Sequence, residues 1–143
     1  TRLPVVIPQR ITDELCRLLV ETRLQTVLVT HINHPNEIDA LFAGSMQKLR
    51  AANVSLLNQS VLLKDINDDA YILKTLSDKL FQTGILPYYL HLLDRVQGAA
   101  HFLVEDERAL AIYQKLQTLT SGYLVPKLVR EIAGEPNKTL YPQ

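Results

Sequence analysis

One cysteine stands in 143 residues and tryptophan is absent, so the chain forms no internal disulfide and builds no thiolate cage of its own. Cys16 lies in a helix-period pattern with Leu15, Leu18 and Leu19, the setting of a structural thiol in a core. Charge of one sign is lacking too. Fifteen basic residues balance fifteen acidic ones, and no basic block occurs. That removes the electrostatic footprint of a nucleic-acid binder or an anionic-membrane binder. Apolar runs are short, each broken by Lys, Asp, Asn or Gln before about 18 residues, which excludes a membrane span or a secretory core. The chain therefore reads as soluble and cytoplasmic. It opens Thr1-Arg2-Leu3-Pro4 without an initiator methionine and reads as a piece of a longer protein.

What is present is an alternation of strand-like and helix-like segments. A helix over residues 11–24 carries Leu15, Leu18 and Leu19 on one face, with Thr12 or Asp13 near its start. Residues 27–30 follow as a short β-branched strand. Pro35-Asn36-Glu37 then opens a helix through Ile38, Leu41, Phe42, Met46 and Leu49. Residues 54–63 read as a second strand. Asn67-Asp68-Asp69 caps a helix with Leu73, Leu76 and Leu80 that ends at Gly84. Residues 87–93 form a third strand, and Glu105-Asp106-Glu107 opens a helix that stops at Gly122. The stretch 124–129 is extended, and the tail beyond it is turn-rich.

Strands joined by helices pair in parallel, since the crossover is right-handed almost without exception. Three strands do not close a barrel, and none of the five glycines makes the phosphate loop of a doubly wound sheet. The fold expected is α/β, a partial (β/α) barrel of about three parallel strands with helices outside. Residues 1–122 form the barrel part and residues 123–143 a C-terminal extension. In such folds the chemistry sits at the C-terminal ends of the strands.

That rule selects His31 and His34 after the first strand, Asn58 and Gln59 in the second, His91 and Asp94 in the third, and Glu131 and Lys138 in the tail. His31 and His34 read either as metal ligands or as groups bonding backbone and capping a helix. A buried amide left unpaired costs about 1–3 kcal/mol, so Asn58 and Gln59 meet either backbone or a ligand. Asp94 faces a cleft or pairs with Arg95 or Arg130. Lys138 by itself reads as a solvated surface lysine.

Five segments change that weighting. Pro8-Gln9-Arg10, Thr30-His31-Ile32-Asn33-His34-Pro35-Asn36-Glu37, Asn58-Gln59-Ser60-Val61-Leu62-Leu63, Pro87-Tyr88-Tyr89 and Ser121-Gly122-Tyr123-Leu124-Val125-Pro126 together resemble the lysine 2,3-aminomutases, over essentially the whole chain. The resemblance implies the C-terminal part of a six-stranded partial barrel. It also implies a reaction in which an S-adenosylmethionine-derived radical moves an amino group from C2 to C3 of lysine held on pyridoxal 5'-phosphate. The [4Fe-4S] cluster of that family is held by a three-cysteine motif, which this chain lacks, so the piece alone is expected to be inactive.

Residue by residue, the resemblance makes Lys138 the covalent pyridoxal-phosphate lysine and Asp94 the acceptor of the far ammonium of the substrate. Glu131 stands where the free-lysine enzymes have a second substrate-binding aspartate. Gln59, His31 and Asn58 match positions on the S-adenosylmethionine side, while Tyr88 and Tyr89 are packing residues. Gly-Glu-Pro-Asn before Lys138 replaces a glycine run and, with residues 92–102, resembles the bacterial branch that makes (R)-β-lysine for elongation factor P and its lysyl-transferring ligase. A separate reading uses His31, His34, His91 and Asp94 as the ligands of a metal-dependent β/α-barrel hydrolase. An exposed parallel edge is expected to make the piece self-associate.

Overall fold

The computed structural model describes residues 1–93 and 100–142. Its centre is a five-stranded sheet in chain order: β1 (Val27–His31), β2 (Ser55–Leu62), β3 (Leu86–Leu92), β4 (Lys127–Arg130) and β5 (Thr139–Leu140). The first four are parallel and β5 returns antiparallel to β4. Strand order equal to chain order means that every crossover runs the same way round, so the helices fall on one face, as in a barrel arc. The fold is thus the α/β partial barrel expected. A fourth parallel strand comes from the stretch read only as extended, and the two-residue β5 from the turn-rich tail.

The helices are α1 (Leu3–Val6), α2 (Asp13–Glu21), α3 (Ala40–Ala51), α4 (Ala70–Gln82) and α5 (Asp106–Leu119). Side chains decide where three of them start. Thr12, Asp39 and Asp69 each accept a backbone N–H at an N-cap, from Leu15, Phe42, and both Tyr71 and Ile72 respectively. The turn at Pro35 is therefore separate from α3: Pro35–Glu37 is one 3₁₀ turn, and the chain restarts at the Asp39 cap. Likewise the cap of α4 is Asp69, while Asn67 serves another purpose. None of the helices described is long and apolar enough to cross a membrane.

Two apolar clusters fill the space between sheet and helices. Ile32, Leu56 and Ile85 pack with Phe42, Met46 and Leu49 of α3 and with Leu76 and Leu80 of α4. Cys16 is only partly buried against this cluster. Leu62, Leu90, Leu92 and Leu128 pack with Leu73 of α4 and with Ala109, Ile112 and Leu116 of α5. Burial alternates along β2, where Leu56, Asn58, Ser60 and Leu62 are buried while Leu57, Gln59 and Val61 are not fully so. Period-two alternation thus assigns the first set to the helices and the second to the opposite face.

Gly84 joins α4 to β3 with φ +82°, where other residues are strained, and a Cβ there would meet the Arg50 side chain at 2.3 Å. On the outer edge of β1, Thr1 N donates to Val29 O at 2.7 Å and His31 N donates to Thr1 O at 3.0 Å, which satisfies two groups of that edge.

Candidate functional site

The open face of the sheet collects the polar residues. His31, Gln59 and Tyr89 occupy matched register positions on β1, β2 and β3. Tyr89 meets His91 edge-on, with ring centroids 5.8 Å apart. From the tail, Lys138 Nζ comes to 6.0 Å from the Tyr89 ring centre and donates to Glu131 Oε1 at 2.5 Å. Four strands and the tail therefore bring His31, Gln59, Tyr89, His91, Glu131 and Lys138 to one face. Their spacing in sequence is wide, and parallel pairing makes them neighbours.

A bulge shapes the middle of this row. The β2–β3 register shifts between Asn58 and Gln59, pairing Asn58 with Pro87 and Gln59 with Tyr89, so Tyr88 is the extra residue. The two tyrosine rings lie 3.8 Å apart, and their hydroxyls are 3.0 Å apart. That bond, with burial, raises the Tyr89 hydroxyl above its usual pKa and keeps it a neutral donor. These tyrosines do more than pack the core: they floor the space beneath Lys138. Consecutive aromatics in a strand interrupted by Pro87 are the signal for such a bulge.

Asn58 is held elsewhere. Its Oδ1 accepts from the Thr30 hydroxyl (2.8 Å) and from Ile32 N (3.0 Å). Its Nδ2 donates to Ile32 O (3.1 Å) and the Ser60 hydroxyl (3.0 Å). Asn58 is 1% exposed, on the helix-covered face, with both ends of its amide bonded. The structure thus separates Asn58 from Gln59, with which the sequence grouped it, and gives it a backbone partner instead of an outlook on a ligand.

The rim at the ends of β1 and β2 is tied together by groups the sequence did not single out. Asn33 Oδ1 accepts from Val61 N at 2.9 Å. Buried Asn67 accepts from Leu63 N at 2.7 Å and donates to Asn33 O and Val61 O. Glu37 Oε1 accepts from Asn33 N and His34 N, and its other oxygen pairs with Arg2. His34 Nδ1 accepts from Asn36 N and so caps the 3₁₀ turn.

His31 is held next to this frame. Burial, then the Arg2 cation, pushes its imidazole below the ordinary 6.5, which keeps it neutral. Its Nε2 is buried with no hydrogen-bond partner among the described residues. A buried nitrogen of that kind costs free energy until something bonds it.

At the other end of the row, Glu131 is held below the usual carboxylate range by its bond to Lys138. Asp94 lies outside the described residues, as do most of the positions around it. Arg130 forms a two-bond pair with Asp106, at 3.0 and 2.5 Å. Among the described residues no three His, Cys, Asp or Glu side chains come together to hold a metal ion. With His34 committed to a cap, the hydrolase reading lacks a ligand set there.

No family model matches the chain. Curated relatives do. It is 81% identical over 141 residues to an L-lysine 2,3-aminomutase of Haemophilus influenzae, covering 99% of this chain and 42% of that protein. The identity is 59% to the enzyme of that name in Escherichia coli, over 97% of this chain and 41% of the relative. The chain belongs to the lysine 2,3-aminomutase family. More distant is the L-lysine 2,3-aminomutase of Clostridium subterminale, at 41% identity over 97% of the chain and 33% of the relative. A glutamate 2,3-aminomutase of Clostridioides difficile matches at 37%, so the same frame occurs under a different substrate name.

The chain spans about two fifths of its bacterial aminomutase relatives and a third of the clostridial one. Among solved structures, a radical SAM methyltransferase from Sphaerobacter thermophilus superposes with a TM-score of 0.60. It covers 82% of this chain and 37% of that protein at 14% identity, a likeness of fold alone.

Proposed function

We propose that this chain supplies one side of the active site of a lysine 2,3-aminomutase, an isomerase converting (S)-lysine to (R)-β-lysine. Residues 1–122 form the barrel part and residues 123–143 the extension that delivers Lys138. One observation carries the reading. The tail returns across the sheet so that Lys138 stands above Tyr89, in the same row as Gln59 and His31.

The donor set fits the groups such a reaction uses. Pyridoxal 5'-phosphate needs an amine on a sheltered face, and Lys138, whose side chain is 31% exposed, provides it. S-adenosylmethionine is a polar ligand, and the unpartnered His31 Nε2 with the adjacent Gln59 suits it. When bound, these groups and a [4Fe-4S] cluster supply the radical and the electron sink that no side chain offers. The cluster ligands lie outside this chain, and for that reason the piece alone is inactive.

The chain's own residues bind and orient. Lys138 holds the aldehyde cofactor, and the Tyr88–Tyr89 pair supports it from below. Glu131 is an anion next to the lysine, suited to an ammonium of the substrate, and Asp94 is assigned the second such contact. Gln59 and His31 face the S-adenosylmethionine side, while Asn58 positions them through the backbone of β1 and β2. The product serves elongation factor P through its lysyl-transferring ligase, in the cytoplasm.

The full-length enzyme, reduced and supplied with all three cofactors, tests the reading. It is expected to form β-lysine from free lysine, and Lys138→Ala abolishes the product. Full activity in that variant refutes the lysine's role, and absence of β-lysine from the wild type refutes the reaction.

A further inference from the structure

Lys138 Nζ already has a partner. Glu131 Oε1 accepts from it at 2.5 Å, and the two residues are seven apart, one just past β4 and the other just before β5. The antiparallel return fixes the approach. Arg130 pairs with Thr139 across the β4–β5 ladder, so their neighbours Glu131 and Lys138 emerge side by side. The groups facing the pair are Tyr89 beneath the ammonium, with Tyr88 bonded to it, and His91, whose charge stabilises the Glu131 anion. A carboxylate in contact favours the charged form of an amine, as does an aromatic face below it. An ammonium has no lone pair with which to attack an aldehyde.

We infer that Glu131 is a positioning residue that parks Lys138 as an ammonium, and that Lys138 becomes a nucleophile only when Glu131 lets go. The inference rests on the proposed function for its meaning, because parking matters only if Lys138 has an aldehyde to meet. One carboxylate oxygen serves one close cation at a time, so a second ammonium arriving on this face competes with Lys138 for Glu131. Entry of a substrate with a free ammonium would thereby release the lysine. The chemical class that unlatches the pair is an alkylammonium.

Competitive acylation of the native protein with trace acetic anhydride, read by peptide mass spectrometry, measures the nucleophilicity of each lysine without any cofactor. Exposed Lys64 and Lys115 serve as internal references. Between pH 7 and 9 Lys138 is expected to react about two- to fivefold more slowly than they do, the scale of a partly exposed ion pair. Glu131→Gln brings it up to the reference rate. Glu131→Asp restores part of the suppression, and salt near 1 M weakens it in the wild type. Glu131 is exposed, so the variants are expected to fold, which circular dichroism checks. If Glu131→Gln leaves the relative rate of Lys138 unchanged, or if Lys138 matches the references in the wild type, the parking role is overturned. Acylation involves no pyridoxal phosphate, so failure here is distinguishable from failure of the aminomutase reading, which the β-lysine assay decides.

Discussion

The two faces of one sheet are built to opposite rules. On the helix side, Asn58, Thr30 and Ser60 are buried among leucines, and each polar atom of Asn58 is bonded. On the other side, one residue away along the same strands, His31 holds an unbonded buried nitrogen and Lys138 and Glu131 hold only each other. Neighbouring residues in β1 and β2 therefore belong to different economies: one side is closed and spends its polarity on holding the fold, the other keeps it for something absent from the protein. The difference teaches that polarity in a strand is not by itself a sign of a site. The face decides.

Substitutions can break that division, and the largest effect is expected on catalysis. Lys138→Ala should lower β-lysine formation by the full-length enzyme more than about a thousandfold, while its melting changes by less than about 1 kcal/mol because the lost pair is partly exposed. Activity assays beside urea melts of the same preparation check both halves. The mirror case is Asn58→Ala, which removes four bonds and orphans Ile32 N and Ile32 O; about 2–4 kcal/mol of stability should be lost. A loss below about 1 kcal/mol in equilibrium urea unfolding would mean that the helix side is less closed than its bonds suggest. Gln59→Ala, on the open face, should cost under about 1 kcal/mol of stability yet weaken S-adenosylmethionine binding several-fold by calorimetry.

The smallest effect concerns pH. Because the folded protein depresses the His31 pKa below 6.5, the unfolded chain binds its proton first on acidification. The His31 contribution is intact above about pH 6.5, and stability falls as the pH drops from there toward the depressed folded value. Melting temperatures from pH 8 to 5 should decline, and His31→Gln should flatten the decline. An equal slope in that variant would assign the acid sensitivity to other groups.

Much of this was legible in the sequence because it is carried by local patterns. The β-branched run at 27–30, the leucine spacing of α4 and the glycine stop at Gly84 gave strand, helix and turn in order. Family resemblance then placed Lys138, which composition alone leaves among ordinary surface lysines. What escaped was non-local. The face of Asn58 is set by the alternation of Leu56, Ser60 and Leu62, a signal present in the sequence and overridden by the adjacency of Gln59. The bulge at Tyr88 depends on how β2 and β3 align, which neither strand encodes alone. Asn67 resembled a helix cap, yet it ties three backbone groups of distant loops. The two-residue β5 is too short to leave a pattern, and it is the element that sets Lys138 next to Glu131.

The central claim is that the open face receives the aldehyde cofactor through Lys138. Borohydride reduction of the full-length enzyme loaded with pyridoxal 5'-phosphate, followed by peptide mapping, tests it directly. The phosphopyridoxyl label is expected on Lys138 and to vanish in Lys138→Ala; stoichiometric label on any other lysine would contradict the account.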